Sequence, residues 1–238
     1  MSDRRTLIQG LVRPLRDFLF PPLCFACERL LGEEEEIVCA PCLAAIRSVS
    51  EADSHYQDTL DSLASEGTIS GLVAAYYFEA GGPLQTLVHQ LKYSGMTSVG
   101  SFLGERLGEK VKRELVGLHI SCVVPVPLHL SKRRERGYNQ SEYICRGMWS
   151  VLAAPVMPKM VVRKVYTQTQ TMLNSEERKH NVAGAFALRG RRPPMMKNAT
   201  VLLVDDVVTT GSTMRSCARV LMEGGAKQVI ACAVALAM

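Results

Sequence analysis

The chain has 238 residues, of which 47% are hydrophobic and 21% charged, and its formal net charge is +5. This length suffices for one α/β domain and a small additional module. No apolar run is long enough to cross a bilayer, and the first residues lack the continuous apolar stretch and cleavage site of a secretory signal. We therefore expect no membrane insertion and a cytoplasmic location.

Residues 1–66 are predicted to form an N-terminal module made of a helix, a zinc ribbon and a linker. Apolar residues recur every three or four positions over residues 5–19, which favours a short amphipathic helix. The acidic residues 33–36 are expected to form a solvated loop at the tip of the ribbon. Residues 51–70 are polar and lack a clear periodicity, so we expect a loosely packed connection there.

Two Cys-x-x-Cys pairs are the clearest feature of this module: Cys24, Cys27, Cys39 and Cys42. Eleven residues separate the pairs. Two such knuckles can place four thiolates tetrahedrally around Zn²⁺, which leaves no coordination position for a substrate. Disulfide bonds are the competing interpretation, and a cytoplasmic location argues against them. We therefore expect a structural zinc site, and we expect the other four cysteines to be buried thiols.

Residues 67–238 are predicted to form an α/β domain. Apolar runs predict strands over residues 71–78, 120–127, 160–163, 201–204 and 228–236. Apolar spacing and boundary residues predict helices over residues 83–91, 102–115 and 214–222, and a further helix from residue 137 to about residue 151. Such alternation is typical of a mainly parallel sheet flanked by helices.

The stretch from Val201 to Thr213 carries the strongest chemical signal. A buried strand ends in two carboxylates, Asp205 and Asp206, and a turn rich in hydroxyl groups then leads into a helix. Open α/β sheets bind ligands at this edge, and the exposed N–H groups of a helix start favour a phosphate. An acid pair beside a phosphate suits a ligand that carries a diol or brings Mg²⁺. The residues therefore indicate a phosphorylated sugar.

One structural alternative exists for this stretch. In this alternative the stretch is a purely structural strand, turn and helix, and Ser212 is the N-cap of that helix. That interpretation explains one hydroxyl group but leaves the acid pair without a role.

Basic charge is concentrated between residues 131 and 192, where 13 lysines and arginines face 4 acidic residues. Such a segment suits a polyanion, for example pyrophosphate or nucleic acid. A solvated face that keeps the protein soluble is the alternative. The basic loop at 132–136 follows a predicted strand, so it lies at the same sheet edge as Asp205 if the two strands are parallel.

The stretch from Val201 to Thr213 resembles the 5-phosphoribosyl-1-pyrophosphate (PRPP) motif of type I phosphoribosyltransferases. The resemblance implies that fold, with Asp205 and Asp206 facing the ribose hydroxyls and residues 209–213 wrapping the 5-phosphate. The residues expected to bind PRPP are Asp205, Asp206, Thr209, Thr210, Gly211, Ser212, Thr213, Lys132, Arg133, Arg136, Thr167 and Gln170. Those expected to take part in catalysis are Asp205, Asp206 and Arg178.

Two further segments resemble the ComF family of competence proteins. One runs from Pro125 to Gln140, in the pyrophosphate-loop region, and the other from Thr167 to Phe186, where phosphoribosyltransferases carry a loop that closes over PRPP. Proteins of this family pair an N-terminal cysteine-knuckle module with a phosphoribosyltransferase domain. The resemblance implies Mg²⁺ with PRPP, a role in the uptake of transforming DNA, and single-stranded DNA and a DNA translocase or helicase of the competence machinery as partners.

Two other functions stay open. The chain could be a metabolic phosphoribosyltransferase that acts on a base or an amine, although the sequence specifies no acceptor site. It could also be a nucleic-acid adaptor that uses the zinc ribbon and the basic segment, with a PRPP pocket that is not catalytic. Aromatic residues near the basic segment are sparse, which signals single-strand binding only weakly. The sequence contains no P-loop motif, which excludes a nucleotide-driven motor.

Overall fold

The structure, a computed structural model, describes residues 21–164, 184–190 and 196–238. Its strands are β1 (Gly71–Phe78), β2 (Cys122–Pro125), β3 (Val161–Arg163), β4 (Phe186–Leu188), β5 (Thr200–Val208) and β6 (Gln228–Ala237). Its helices are α1 (Ala40–Ala44), α2 (Ser54–Ala64), α3 (Pro83–Tyr93), α4 (Thr97–Glu114), α5 (Leu130–Arg136), α6 (Gln140–Leu152) and α7 (Ser212–Glu223). The amphipathic helix expected over residues 5–19 lies outside the described residues.

The centre of the fold is a four-stranded parallel sheet in the order β1–β6–β5–β2. Strands β5 and β6 are buried on both faces, as their continuous runs of valine, leucine and alanine require. Strands β3 and β4 form a separate antiparallel pair. Among the described helices, none has a stretch of the length and apolarity needed to cross a membrane. The predicted parallel sheet is confirmed.

Two hydrophobic clusters cover the two faces of this sheet. One contains Leu87 of α3, Leu103 of α4 and Ile144 of α6, together with buried residues of the N-terminal module. The other contains Leu63 of α2 and Phe186 of β4, together with the buried side of α7. The module therefore shares a core with the main domain, and the division of the chain at residue 66 stays a prediction.

The expectation of a loosely packed connection over residues 51–70 is wrong. Helix α2 occupies most of this segment, and its residues Tyr56 and Leu63 are buried. The hydroxyl group of Tyr56 donates a hydrogen bond to the carbonyl oxygen of Leu72, at 2.6 Å. Only a narrow stripe of apolar residues faces the core, which explains why the periodicity of the sequence was too weak to indicate a helix.

Helices α4 and α6 touch backbone to backbone. A Cβ atom added at Gly104 would lie 2.0 Å from the carbonyl oxygen of Ile144, and one added at Gly147 would lie 1.9 Å from that of Ser101. Only glycine fits at either position, because no rotamer change can relieve a contact with backbone. This contact fixes α6, whose first turn reaches the carboxyl edge of the sheet.

Replacing Gly104 with alanine is expected to lower the free energy of unfolding by about 3 kcal/mol, because α6 must move to admit the new Cβ atom. Urea unfolding measures the change. Gly71→Ala is the matched control, since its Cβ atom would lie 3.7 Å from Ile230, an ordinary van der Waals distance. Equal losses in the two variants would contradict the prediction.

Candidate functional site

A cleft of about 360 Å³ opens at the carboxyl edge of the sheet, beyond the ends of β2 and β5. The charged residues that line it include Asp205, Asp206, Lys92, Lys132, Arg136 and Arg163. A second pocket of about 50 Å³ adjoins it and is lined by residues 207–214. Carboxylates, cations and a helix start therefore meet at one place, as the sequence predicted for parallel strands.

A larger groove of about 760 Å³ lies at the opposite, amino-terminal edge, between the ends of α4 and α6. Aliphatic residues such as Val116 and Leu118 form much of its wall, and none of its described lining residues is acidic. It lies away from the carboxyl ends of the strands, where α/β sheets bind ligands. The smaller, charged cleft is therefore the candidate site.

The two carboxylates end β5 in different environments. Oδ1 of Asp205 accepts hydrogen bonds from Oγ of Ser141, at 3.0 Å, and from the backbone N–H of Asp206, at 2.9 Å. Oδ1 of Asp206 accepts one from the backbone N–H of Val207, at 2.8 Å. Burial, and secondly the neighbouring charge of Asp206, raise the pKa of Asp205.

Lys92 is a residue of the cleft that the sequence analysis missed. Its Nζ atom lies 2.6 Å from Oδ2 of Asp206, a short ion pair without the angles of a hydrogen bond. Asp206 is only 5% exposed, so a counter-charge is what its burial requires. Lysine is common in the last turn of a helix, where it interacts favourably with the helix dipole. Nothing in the sequence therefore marks Lys92 as a residue of the cleft.

The basic segment after β2 is a helix, α5, and not the loop that the sequence predicted. The side chain of His129 caps the start of α5 by accepting a hydrogen bond from the backbone N–H of Ser131. Gly137, in the left-handed conformation, ends the helix. Basic residues are tolerated throughout its seven residues because most of α5 is exposed.

Two of the three predicted basic residues of this segment reach the cleft. Lys132 and Arg136 line it, and Nη1 of Arg136 donates a hydrogen bond to Oε1 of Gln140, at 3.1 Å. Arg133 is not among the lining residues, and its guanidinium lies 3.9 Å from Oε1 of Glu142. Arg163 of β3, which the sequence analysis did not select, also lines the cleft.

The turn after β5 brings all five predicted phosphate-binding residues together. Thr209, Thr210, Gly211, Ser212 and Thr213 line the small pocket. Thr167, Gln170 and Arg178, by contrast, lie outside the described residues. The predicted residues that the structure describes are thus close together, with Arg133 at the margin.

The start of α7 is not capped by a side chain. Gly211 is the N-cap residue, with φ of 68°, and makes no side-chain hydrogen bond to the helix. The interpretation of Ser212 as an N-cap is therefore wrong. The first N–H groups of α7 are left available for an anion, which the helix dipole also favours.

Helix α2 supports this turn from behind. A Cβ atom at Gly211 would lie 2.4 Å from Cδ2 of Leu63. Nη1 of Arg215 donates hydrogen bonds to the carbonyl oxygens of Thr210, at 3.1 Å, and Ser62, at 3.0 Å. The segment that joins the N-terminal module to the sheet thus packs against the turn that lines the candidate phosphate site.

Replacing Gly211 with alanine is expected to destabilise the protein more than the same change at Gly117. Both glycines have positive φ, which costs an alanine about 1 kcal/mol. Nothing lies within 4 Å of a Cβ atom at Gly117, whereas at Gly211 the Leu63 side chain must move. Thermal unfolding of both variants measures the difference, and equal melting temperatures would show that α2 does not press on the turn.

The four predicted zinc ligands form a single cluster. The Sγ atoms of Cys24, Cys27, Cys39 and Cys42 all lie within 4.8 Å of one another. Those of Cys27 and Cys39 are 3.7 Å apart. A tetrahedral zinc ion with Zn–S distances of about 2.3 Å needs a sulfur separation of about 3.8 Å, so the donor set fits the ion. No disulfide forms among the described cysteines, and the four outside the cluster are buried, as expected.

The environment of Cys24 favours the thiolate that a metal requires. Burial raises the pKa of its thiol, but backbone N–H groups, chiefly that of Cys39 at 3.3 Å, outweigh burial and lower the pKa to about 6. In the acidic loop, Glu33, Glu34 and Glu36 are exposed, as expected for a solvated loop, and Glu35 is partly buried. Glu35 accepts the backbone N–H groups of Gly32, at 2.8 Å, and Ala40, at 2.6 Å, and so joins the ribbon tip to α1.

Replacing Cys39 with serine is expected to abolish binding of a single zinc ion per chain and to destabilise residues 21–46, because metal binding and folding of such a module are coupled. Metal analysis of the purified protein measures the loss. Cys232→Ala is the control, since Cys232 is buried in β6 and is not part of the cluster. Full zinc content in the Cys39→Ser protein would refute the four-cysteine site.

The parallel sheet, with an acid pair and a glycine turn at its carboxyl edge, defines a type I phosphoribosyltransferase domain. The family model described as "Phosphoribosyl transferase domain" matches residues 146–238. The chain is 27% identical to Competence protein F of Haemophilus influenzae over 218 residues, which cover 87% of this chain and 93% of that protein. The chain is a homologue of that protein.

Relatives with another name match a shorter part of the chain. DNA utilization protein YhgH of Escherichia coli (strain K12) is 35% identical over 150 residues, which cover 62% of this chain and 64% of that protein. The chain thus covers slightly less than two thirds of the length of that relative. A solved glutamine PRPP amidotransferase from B. subtilis is 18% identical, with a TM-score of 0.41, over 60% of this chain and 30% of that one. A likeness of that size carries no functional argument.

Proposed function

We propose that this protein is a member of the ComF family and that it binds PRPP with Mg²⁺ in the cleft at the carboxyl edge. The observation that carries the proposal is the meeting of three chemical groups in adjoining pockets: an acid pair, an uncapped helix start and several cations. A phosphate alone would be repelled by the acids, and a sugar alone would not need the cations. PRPP carries a diol, a 5-phosphate and a pyrophosphate, which match the three groups.

Each part of the ligand has a complementary part of the chain in this proposal. The acid pair Asp205 and Asp206 faces the ribose hydroxyls, and the 5-phosphate accepts from the N–H and hydroxyl groups of residues 209–213. Lys132 and Arg136 bind the pyrophosphate. Mg²⁺, when bound with PRPP, neutralises the charge of the leaving pyrophosphate.

Three other residues enter the proposal through family resemblance. Thr167 and Gln170 are proposed to contact PRPP, and Arg178 to assist catalysis, by closing over the sugar and excluding water. Arg133 is proposed as a more distant cation of the pyrophosphate site. Transfer of the phosphoribosyl group to an acceptor is the reaction that such a site would perform, and a metabolic acceptor, a base or an amine, is the alternative to a role in DNA handling.

The biological role that we propose is the handling of incoming DNA in the cytoplasm. One relative is named a competence protein and others are named DNA utilization proteins. The proposed partners are single-stranded DNA and a DNA translocase or helicase of the competence machinery. The zinc ribbon is proposed to be structural.

Replacing Asp206 or Asp205 with asparagine is expected to weaken the binding of Mg·PRPP by at least about tenfold, since each change removes one carboxyl group of the acid pair that faces the ligand. Calorimetric titration of the wild type and both variants measures the affinities, and circular dichroism checks the fold. Asp61→Asn, on the α2 surface, is the control. Unchanged affinity in both site variants would remove the acid pair from the site. An absence of binding to folded wild-type protein would refute the proposal.

A second candidate function, direct binding of single-stranded nucleic acid, is favoured by one surface. Tyr143, Arg146 and Trp149 recur every three residues on α6, and Cζ of Arg146 lies 4.5 Å from the centre of the Tyr143 ring. The ring of Tyr138 meets that of Tyr143 edge to face, at 5.5 Å. Trp149 is 58% exposed. The aromatic residues that were sparse in the sequence thus form a stripe with a cation, and such stripes can stack successive bases.

Replacing Trp149 with alanine is expected to weaken the binding of a single-stranded oligothymidine by about 1–3 kcal/mol. Trp149 is the only tryptophan of the chain, so quenching of intrinsic fluorescence reports its stacking directly. Binding should also fall steeply with salt concentration. Arg106→Ala is the control, because Arg106 makes a comparable contact with Phe102 on α4, outside the stripe. Binding that neither quenches the tryptophan fluorescence nor weakens with salt concentration would exclude this surface as the binding site.

A further inference from the structure

The position of Lys92 follows from the register of the sheet against α3. Leu91 packs in the same cluster as Leu202 and Val204 of β5. Side chains alternate along a strand, so Asp206 is the next residue on that face. Lys92 follows Leu91 in the last turn of α3, and this places Nζ 2.6 Å from Oδ2 of Asp206.

The ion pair makes the two carboxylates unequal. Oδ1 of Asp206 accepts the backbone N–H of Val207, and its Oδ2 faces Lys92. Oδ1 of Asp205 accepts hydrogen bonds from Oγ of Ser141 and from the backbone N–H of Asp206. Among the described residues, none donates a hydrogen bond to its Oδ2. The side chain of Asp206 is 7% exposed, whereas that of Lys92 is 23% exposed and borders the cleft. One carboxylate is therefore engaged on both oxygens, and the other has an oxygen left for a ligand.

We propose that Lys92 is a positioning residue of the ligand site. It holds Oδ2 of Asp206 and supplies the counter-charge of that buried carboxylate, and this leaves Oδ2 of Asp205 as the oxygen of the pair that is open to a ligand. Without the ammonium group, the buried carboxylate of Asp206 would have no counter-charge and would no longer be held in place. The inference rests on the proposed binding of PRPP, and it assigns to the two acids different tasks that the sequence motif does not separate.

Charge and packing at this position can be separated by substitution. Lys92→Met keeps the aliphatic stem and removes the charge, whereas Lys92→Arg keeps the charge. Lys110→Met is the matched control, because Lys110 is also partly buried and lies 3.3 Å from Oε1 of Glu114, away from the cleft. Thermal unfolding of each variant records the effect on the fold independently of ligand binding.

The experiment is a calorimetric titration of Mg·PRPP into these proteins. We expect Lys92→Met to bind at least about tenfold more weakly than the wild type, Lys92→Arg to regain most of the affinity, and Lys110→Met to bind as the wild type does. The double variant Lys92→Met/Asp206→Asn should bind about as weakly as the weaker single variant, since Lys92 acts through Asp206. If Lys92→Met does not fold, Lys92→Gln, which keeps a polar head group, replaces it.

Three results would overturn the inference. A folded Lys92→Met protein with wild-type affinity would remove Lys92 from the site while leaving the proposed function standing. Losses that add in the double variant would show that Lys92 does not act through Asp206. A folded wild type that does not bind Mg·PRPP would refute the proposed function, and the role of Lys92 with it.

Discussion

The close contact of α4 and α6 is the constraint on which the geometry of the site depends. Because Gly104 and Gly147 let the two backbones touch, α6 has one position against the sheet. The first turn of α6 then brings Ser141 to Asp205, and Asn139, just before it, binds the carbonyl oxygen of Val126 beyond β2. A displaced α6 would separate the acid pair from the basic helix that precedes it.

Opposite charges coexist in this small cleft because each is held by a different element. The acids end β5, Lys92 ends α3, and Lys132 and Arg136 belong to α5. Burial penalises the acid pair, as the raised pKa of Asp205 reflects, and the surrounding cations offset part of that penalty. A ligand with both hydroxyl and anionic groups can satisfy both sets, whereas a simple anion or a neutral sugar satisfies only one.

Local signals predicted the parts of this structure that depend on neighbours in the chain. The long apolar strands, the two cysteine knuckles and the turn after Asp206 could be predicted, because each pattern is contained within a few neighbouring residues. The positions of Lys92 and Arg163 in the cleft could not be predicted, since these residues reach it only through the packing of α3 and β3. Helix α2 was missed because its apolar stripe is narrow, and α5 because its basic residues suggested a solvated loop.

The contact of α2 with Gly211 crosses the boundary that the sequence predicted between module and domain. Residues 51–66 precede the first strand, yet Leu63 and Arg215 join them to the turn that is proposed to hold phosphate. A cut at residue 66 would separate that turn from its support. The turn after β5 therefore rests on residues that precede the first strand. A change in the packing of α2 would therefore reach this turn directly, although 153 positions separate Ser62 from Arg215 along the chain.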